Sequence, residues 1–142
     1  MNVRGYKMNP RFEKPIPGDW LKVVFNTPEG EAKVFMDTMN PADFPDVDFT
    51  TSDTFFVEML PKGTSKGAAI LAVCEKLGLT IGQTVAVGDY YNDVEMLKTA
   101  GFSACVGGAP NEIKELVDVV LRPCEEGAIA QLIELLENRY PE

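Results

Sequence analysis

The chain of 142 residues contains no histidine, and this absence excludes several common kinds of active site. Without an imidazole, the chain has no Ser-His-Asp or Cys-His catalytic group, no histidine-ligated metal and no histidine general base. Phosphoryl transfer depends instead on positioning and on neutralisation of charge by a cation and a lysine. The composition therefore stays compatible with phosphate chemistry.

Cysteine is scarce as well. The three cysteines, Cys74, Cys105 and Cys124, are odd in number and widely spaced, which gives neither a zinc pattern nor a disulfide framework. Cys74 and Cys105 lie in apolar patterns, so we predict that they are core residues. This cysteine usage fits a reducing, cytoplasmic setting.

The sequence also has few positively charged residues and no long apolar run. Lys and Arg number 13 against 22 Asp and Glu, and the resulting net charge of −9 would repel a nucleic-acid backbone. No apolar run approaches the length of a signal peptide or a membrane span, so we expect no membrane partner. The length and the apolar fraction of 45% predict one soluble globular domain, with at most a small additional lobe.

The chain divides into three parts by pattern. Residues 1–19 hold several Pro, Gly and basic residues without periodicity and predict an irregular arm. Residues 20–62 read as β-α-β-β, with strands at 20–26, 46–51 and 54–60. The helix between them starts at Thr27-Pro28-Glu29 and has one apolar face, formed by Ala32, Phe35, Met36 and Met39.

From residue 63 onward, helices alternate with strands, which predicts a parallel sheet with crossover helices. Ser65 caps the first of these helices and Gly78 ends it. Strands follow at 84–87, 102–106 and 119–121. The predicted apolar helix faces are Ile70, Val73, Cys74 and Leu77 in the first helix, and Ile129, Leu132, Ile133 and Leu136 in the last.

The most informative stretch follows the strand at 84–87. Gly88 ends this strand and Asp89 follows it directly, at the end of a parallel strand where ligands bind. Together with Asn92 and Asp93, Asp89 offers the hard oxygen ligands that suit Mg²⁺. In the alternative interpretation Asn92 is a helix N-cap, Glu95 closes a capping box and Asp93 favours the helix dipole. That alternative leaves Asp89 unexplained.

Lys66 lies in the first turn of the helix that Ser65 caps. A lysine there opposes the helix dipole at a cost of some tenths of a kcal/mol. It is either a solvated loop residue or a cation placed to face carboxylates or a phosphate.

These residues resemble a known family. Lys66-Gly67, Gly88-Asp89-x-x-Asn92-Asp93-x-x-Met96 and Glu126-Gly127-Ala128 are similar to the C-terminal half of the haloacid dehalogenase-like superfamily, most closely to its Cof-type sugar-phosphatase branch. The resemblance runs from about Trp20 to the end. It implies an α/β fold in which residues 63–142 form half of a Rossmann-like core and residues 20–62 form a remnant of a C2-type cap.

The resemblance also implies roles for single residues. Lys66 would steady the aspartyl-phosphate intermediate and the phosphate, and Asp89 would be a direct Mg²⁺ ligand. Asp93 would support the metal through water or through its neighbours, while Asn92 and Gly88 would orient the site. The implied activity is Mg²⁺-dependent hydrolysis of a small phosphorylated metabolite.

The sequence departs from the family pattern at two places. The family's Asp-x-Asp-Gly-Thr nucleophile loop is missing, so we expect a truncated chain that is inactive alone. Asp46-Val-Asp48-Phe-Thr50 imitates that loop in spacing only, since it follows no buried strand and has Phe49 in place of glycine. The second departure is Gly108, in Gly107-Gly108-Ala109, where relatives carry Asn-Ala next to the phosphate.

The resemblance also leads to an expectation about partners. In the family, the strand that bears the nucleophile pairs with the strand that corresponds to 84–87 here; without that neighbour, the strand at 84–87 becomes an exposed sheet edge, and such edges pair with other chains. We therefore expect either self-association or a separate complementing N-terminal half. Two further hypotheses stay open from the sequence: a non-catalytic module that binds a metal or a partner, and an α/β binding domain unrelated to phosphatases.

Overall fold

The computed structural model describes residues 21–140, which form two three-stranded sheets and five α-helices. The predicted arm at residues 1–19 lies outside the described residues. The strands are β1 (Val23–Asn26), β2 (Val47–Thr51), β3 (Phe56–Pro61), β4 (Val85–Gly88), β5 (Phe102–Cys105) and β6 (Val119–Val120). The helices are α1 (Ala32–Asp37), α2 (Lys66–Leu77), α3 (Val94–Thr99), α4 (Asn111–Lys114) and α5 (Ala128–Arg139).

The first sheet is antiparallel, in the order β1-β3-β2. Helix α1 covers it by packing Ala32 and Phe35 against Val57, and Met36 and Met39 add to this cluster as predicted. The predicted helix start was wrong. Thr27 is not a cap; its hydroxyl donates to the Phe55 carbonyl (3.1 Å), and α1 begins at Ala32.

The second sheet is parallel, in the order β4-β5-β6. Central strand β5 is buried along its whole length because both of its faces are covered. One cluster joins Ala86 and Cys105 to Leu97 of α3 and to Ile113 of α4. The other joins β5 to α5 on the opposite face. Strand β4 lies at one edge of this sheet, as expected.

The caps of α2 match the prediction, but the predicted buried faces of α2 and α5 are correct only in part. Ser65 Oγ accepts a hydrogen bond from Ala68 N–H (3.0 Å), and Gly78 ends α2 in the left-handed conformation. Of the predicted α2 face, Cys74 is buried, whereas Val73 and Leu77 are exposed. In α5 the buried residues are Ala128 and Leu132, while Ile129 and Ile133 are more than half exposed: 55% and 51%.

Residues 62–65 connect the two sheets by joining β3 to α2. Asp48, on β2, accepts a hydrogen bond from the Gly63 N–H (2.7 Å), and Lys62 Nζ donates to the Pro45 carbonyl (3.1 Å). The Asp46–Thr50 imitation of a nucleophile loop therefore lies in and beside an antiparallel strand, where Asp48 stabilises a turn.

The predicted α/β class, with a parallel sheet after a β-α-β-β segment, is confirmed. Cys74 and Cys105 are buried as predicted, and Cys124 is exposed. No helix among residues 21–140 combines the length and apolarity needed to span a bilayer.

Candidate functional site

The carboxyl end of β4 presents Asp89 at the surface. Parallel pairing places Gly88 beside Cys105, so this end lies next to the end of β5. The chain then turns through a single 3-10 turn, Tyr91–Asp93, into α3. Asp89 is exposed, and Asn92 is half-buried.

Asp93 is the buried centre of this turn, with only 3% of its surface exposed. Its Oδ2 accepts hydrogen bonds from the backbone N–H groups of Asp89 (3.0 Å) and Tyr90 (3.4 Å). Its Oδ1 accepts a hydrogen bond from Lys66 Nζ, which also forms an ion pair with it. Asp93 therefore ties Lys66 to the backbone that presents Asp89.

The capping alternative is wrong for Asn92, because the residue at the N-cap of α3 is Asp93. The Asp93 carboxylate accepts the N–H of Tyr90, the residue at the N-cap of the 3-10 turn that leads into α3. Asn92 lies inside the 3-10 turn and faces the cleft described below.

Two glycines allow these side chains to approach. A Cβ on Gly88 would lie 2.5 Å from the Cβ of Asp93, which is closer than packed carbon atoms come. A Cβ on Gly67 would lie 2.9 Å from Glu95, at the contact between α2 and α3. Glycine at these positions lets β4 approach Asp93 and lets α2 bring Lys66 to it.

The electrostatics of the pair follow from this geometry. Burial raises the pKa of Asp93, but hydrogen bonds from Lys66 and from the backbone amides, with the charge of Lys66, lower it by more. The pKa of Asp93 therefore lies below its usual range, and the carboxylate is ionised at neutral pH. Ion pairing with Asp93 also offsets the unfavourable position of Lys66 at the positive end of α2.

An open cleft of about 1110 Å³ lies between this turn and the antiparallel sheet. Lys66, Tyr90, Tyr91 and Asn92 line it from the parallel-sheet side, and β2 packs against the Tyr91–Asp93 turn. Sequence reasoning missed both tyrosines, although they occupy the two variable places between Asp89 and Asn92.

The donor set suits a hard cation only in part. Across the stretch that the structure describes, residues 21–140, no group of three or more Asp, Glu, Cys or His side chains is placed to hold a metal ion. Asp89 offers an exposed carboxylate at the strand end, whereas both oxygens of Asp93 are engaged within the protein. Of the two carboxylates at the end of β4, that of Asp89 is the one left exposed toward a ligand.

Comparison with protein families gives one match over most of the chain. The family model described as haloacid dehalogenase-like hydrolase matches residues 4–133. Several curated relatives are phosphatases by name, among them the following two. The 5-amino-6-(5-phospho-D-ribitylamino)uracil phosphatase YcsE of Bacillus subtilis is 34% identical over 62% of this chain and 35% of its own length. The phosphoglycolate phosphatase of Methanopyrus kandleri is 37% identical over 59% of this chain and 37% of its own.

A solved structure agrees with these sequence matches. The haloacid dehalogenase-like hydrolase from B. subtilis has a TM-score of 0.74 at 25% identity, over 88% of this chain and 44% of that one. This chain spans less than half the length of each of these three relatives.

Proposed function

Because the chain belongs to the haloacid dehalogenase-like superfamily, in the Cof-type branch that its motifs indicate, we propose that it supplies half of the active site of a Mg²⁺-dependent phosphatase. The substrate is a small phosphomonoester, the class to which the compounds named for the two curated relatives belong. One observation carries the proposal: hydrogen bonds through the buried Asp93 join Lys66 to the backbone of Asp89 at the end of β4.

Each side chain in the network has a proposed part in the chemistry. The ammonium of Lys66 is half exposed and faces the cleft, where it would offset negative charge on a phosphoryl group. Asp93 holds that ammonium in place and keeps the turn closed. Asn92 would orient the bound group from the cleft wall. In this proposal residues 63–142 are the core half and residues 20–62 a cap remnant.

Mg²⁺ is the cofactor that the family resemblance implies, and Asp89 is the ligand that this chain would provide for it. Asp93 would act on the metal indirectly, through the backbone that it fixes. When bound, Mg²⁺ would neutralise charge on the phosphoryl oxygens.

The test is a titration of the isotope-labelled chain with MgCl₂, followed through the backbone amide resonances of residues 88–94. Asp89→Asn should weaken Mg²⁺ binding by about tenfold or more, because it removes the exposed ligand. Asp43→Asn removes one charge from the exposed Pro41–Asp43 turn and serves as the matched control. Equal binding by the Asp89→Asn variant and the unsubstituted chain would refute the assignment.

Turnover of p-nitrophenyl phosphate tests the half-site directly. The chain alone should give no turnover above background with or without Mg²⁺, because it lacks the Asp-x-Asp nucleophile loop. Activity that Asp89→Asn abolishes would show a nucleophile within this chain and overturn the half-site proposal.

The alternative is a non-catalytic α/β module that binds a metal or a partner. It stays open because the chain has no Asp-x-Asp-Gly-Thr nucleophile loop. Mg²⁺ binding without phosphate binding would favour this module over the phosphatase half-site.

The free edge of β4 supports the remaining part of the proposal, a partner segment that completes the sheet. Among residues 21–140, strand β4 pairs with β5 alone, and Val85 on it is 39% exposed. A second copy or a complementing half would pair with this edge. Val85→Lys should convert an associating chain to monomer in size-exclusion chromatography, while Val34→Lys, on the exposed side of α1, should not. A monomeric unsubstituted chain would contradict this part.

A further inference from the structure

Tyr90 and Tyr91 lie directly after Asp89, and the proposed chemistry gives neither of them a part. Their ring centroids are 5.0 Å apart and the rings are inclined at 74°, an edge-to-face pair. Tyr90 is half-buried and Tyr91 is 37% exposed, and both line the cleft beside Lys66. An edge-to-face pair leaves ring surface free for a third ring to pack against.

The antiparallel sheet forms the opposite wall of the cleft, with polar and acidic as well as apolar side chains. Strand β2 packs against the Tyr91–Asp93 turn, and its Phe49 also lines the cleft. Tyr90 and Tyr91 therefore present aromatic ring surface to the cleft, and each carries a phenol hydroxyl.

The charged side chains that line the cleft restrict the kind of ligand that can bind there. Five acidic side chains line it against three lysines, and Lys22 and Lys66 are already paired with Glu58 and Asp93. The excess of carboxylates disfavours a ligand that carries negative charge away from the phosphate. The acidic side chains are Asp37, Asp48, Asp53, Glu58 and Glu95.

We propose that Tyr90 and Tyr91 bind the leaving group of the substrate and select a planar aromatic group without negative charge. This inference rests on the proposed phosphatase function, since it places the phosphate beside Lys66 and Asp89 and the ring on the tyrosines. It makes the two variable positions between Asp89 and Asn92 determinants of specificity.

The experiment compares phenyl phosphate with glucose 6-phosphate in the presence of Mg²⁺, using the resonances of the tyrosine rings and amides. The unsubstituted chain should bind phenyl phosphate more tightly. Tyr91→Leu should weaken phenyl phosphate binding by about 2- to 10-fold and change glucose 6-phosphate binding by less than about twofold. Tyr140→Leu, at the exposed end of α5, is the matched control and should change neither.

Phenol, which carries no phosphate, separates the two proposals. If neither phosphomonoester binds but phenol still shifts the resonances of Tyr90 and Tyr91, the aromatic site stands and the phosphatase proposal fails. An equal loss of both phosphomonoesters in Tyr91→Leu would show that the tyrosines only brace the turn, and would overturn the inference. So would the absence of any shift at Tyr90 and Tyr91 with both phenyl phosphate and phenol.

Discussion

The ion pair between Lys66 and Asp93 gives the most direct quantitative test of the site. A double-mutant cycle uses Lys66→Met, Asp93→Asn and the double variant, so that the coupling between the two side chains is separated from their other contacts. The two ends of the pair differ in environment, because the Asp93 side chain is 4% exposed and that of Lys66 is 50% exposed.

The expected magnitude lies between two limits. Exposed pairs contribute about 0.2–1 kcal/mol, whereas removing one partner of a buried pair costs about 3–5 kcal/mol. Lys66 is half in water, and without it Asp93 would keep its two backbone donors. We therefore expect Lys66→Met to lower the free energy of unfolding by about 1–2 kcal/mol and the coupling energy to be about 1 kcal/mol.

The assay is urea unfolding at pH 7, followed by far-ultraviolet circular dichroism. Lys76→Met, in the last turn of the same helix, is the control, and it should cost about 0.3–1 kcal/mol at most through the helix dipole. A coupling energy below about 0.3 kcal/mol would be within the error of additivity. That result would refute a formed Lys66–Asp93 contact and with it the hydrogen-bonded network.

Two further predictions concern packing and acid stability. Gly88→Ala should lower the free energy of unfolding by about 1–3 kcal/mol, because the added Cβ would overlap Asp93. Gly108→Ala is the control and should cost little, because the space around its Cβ is open. Equal urea midpoints for the two variants would contradict this prediction. Hydrogen bonds from the N–H and hydroxyl of Ser103 hold the pKa of Asp118 below its usual range. Asp118 therefore stabilises the folded protein above about pH 4, and this contribution is lost as the pH falls through the lowered pKa. Asp118→Asn should therefore lower the urea midpoint at pH 7 by more than at pH 3, and a difference that does not shrink on acidification would contradict it.

Local signals predicted the parts of the fold that neighbouring residues determine. The Ser65 cap and the Gly78 ending of α2 depend on the chain within one turn, and both were predicted. Each end of the three parallel strands was predicted to within one residue, because turn residues flank their apolar runs. For this reason, helix caps and strand ends could be predicted from the sequence.

The buried faces of the helices depend on distant contacts, so periodicity alone predicted them only in part. In α5 the predicted Leu132 is buried beside Ala128 and the predicted Leu136 packs against the same cluster, whereas Ile129 and Ile133 are exposed. In α2, Val73 and Leu77 are apolar and exposed, because no element among residues 21–140 covers them.

Within the site, sequence motifs predicted the participants but not their connections. Lys66, Asp89, Asn92 and Asp93 were selected from their spacing and from the family resemblance, and their catalytic roles stay predictions. The carboxylate of Asp93 folds back onto the amides of Asp89 and Tyr90, a contact that depends on the close approach of Gly88. No pattern of residue types encodes that approach directly.

The four residues between β3 and α2 have a mechanical consequence. Hydrogen bonds from Gly63 to Asp48 and from Lys62 to Pro45 hold residues 62–65 against β2 and the residues just before it. Helix α2 begins with Lys66 immediately afterwards. The connection between the two sheets is thus short and hydrogen-bonded, and it ends at the residue whose ammonium Asp93 holds from the other side. A molecule that widens the cleft would strain these hydrogen bonds at the start of α2.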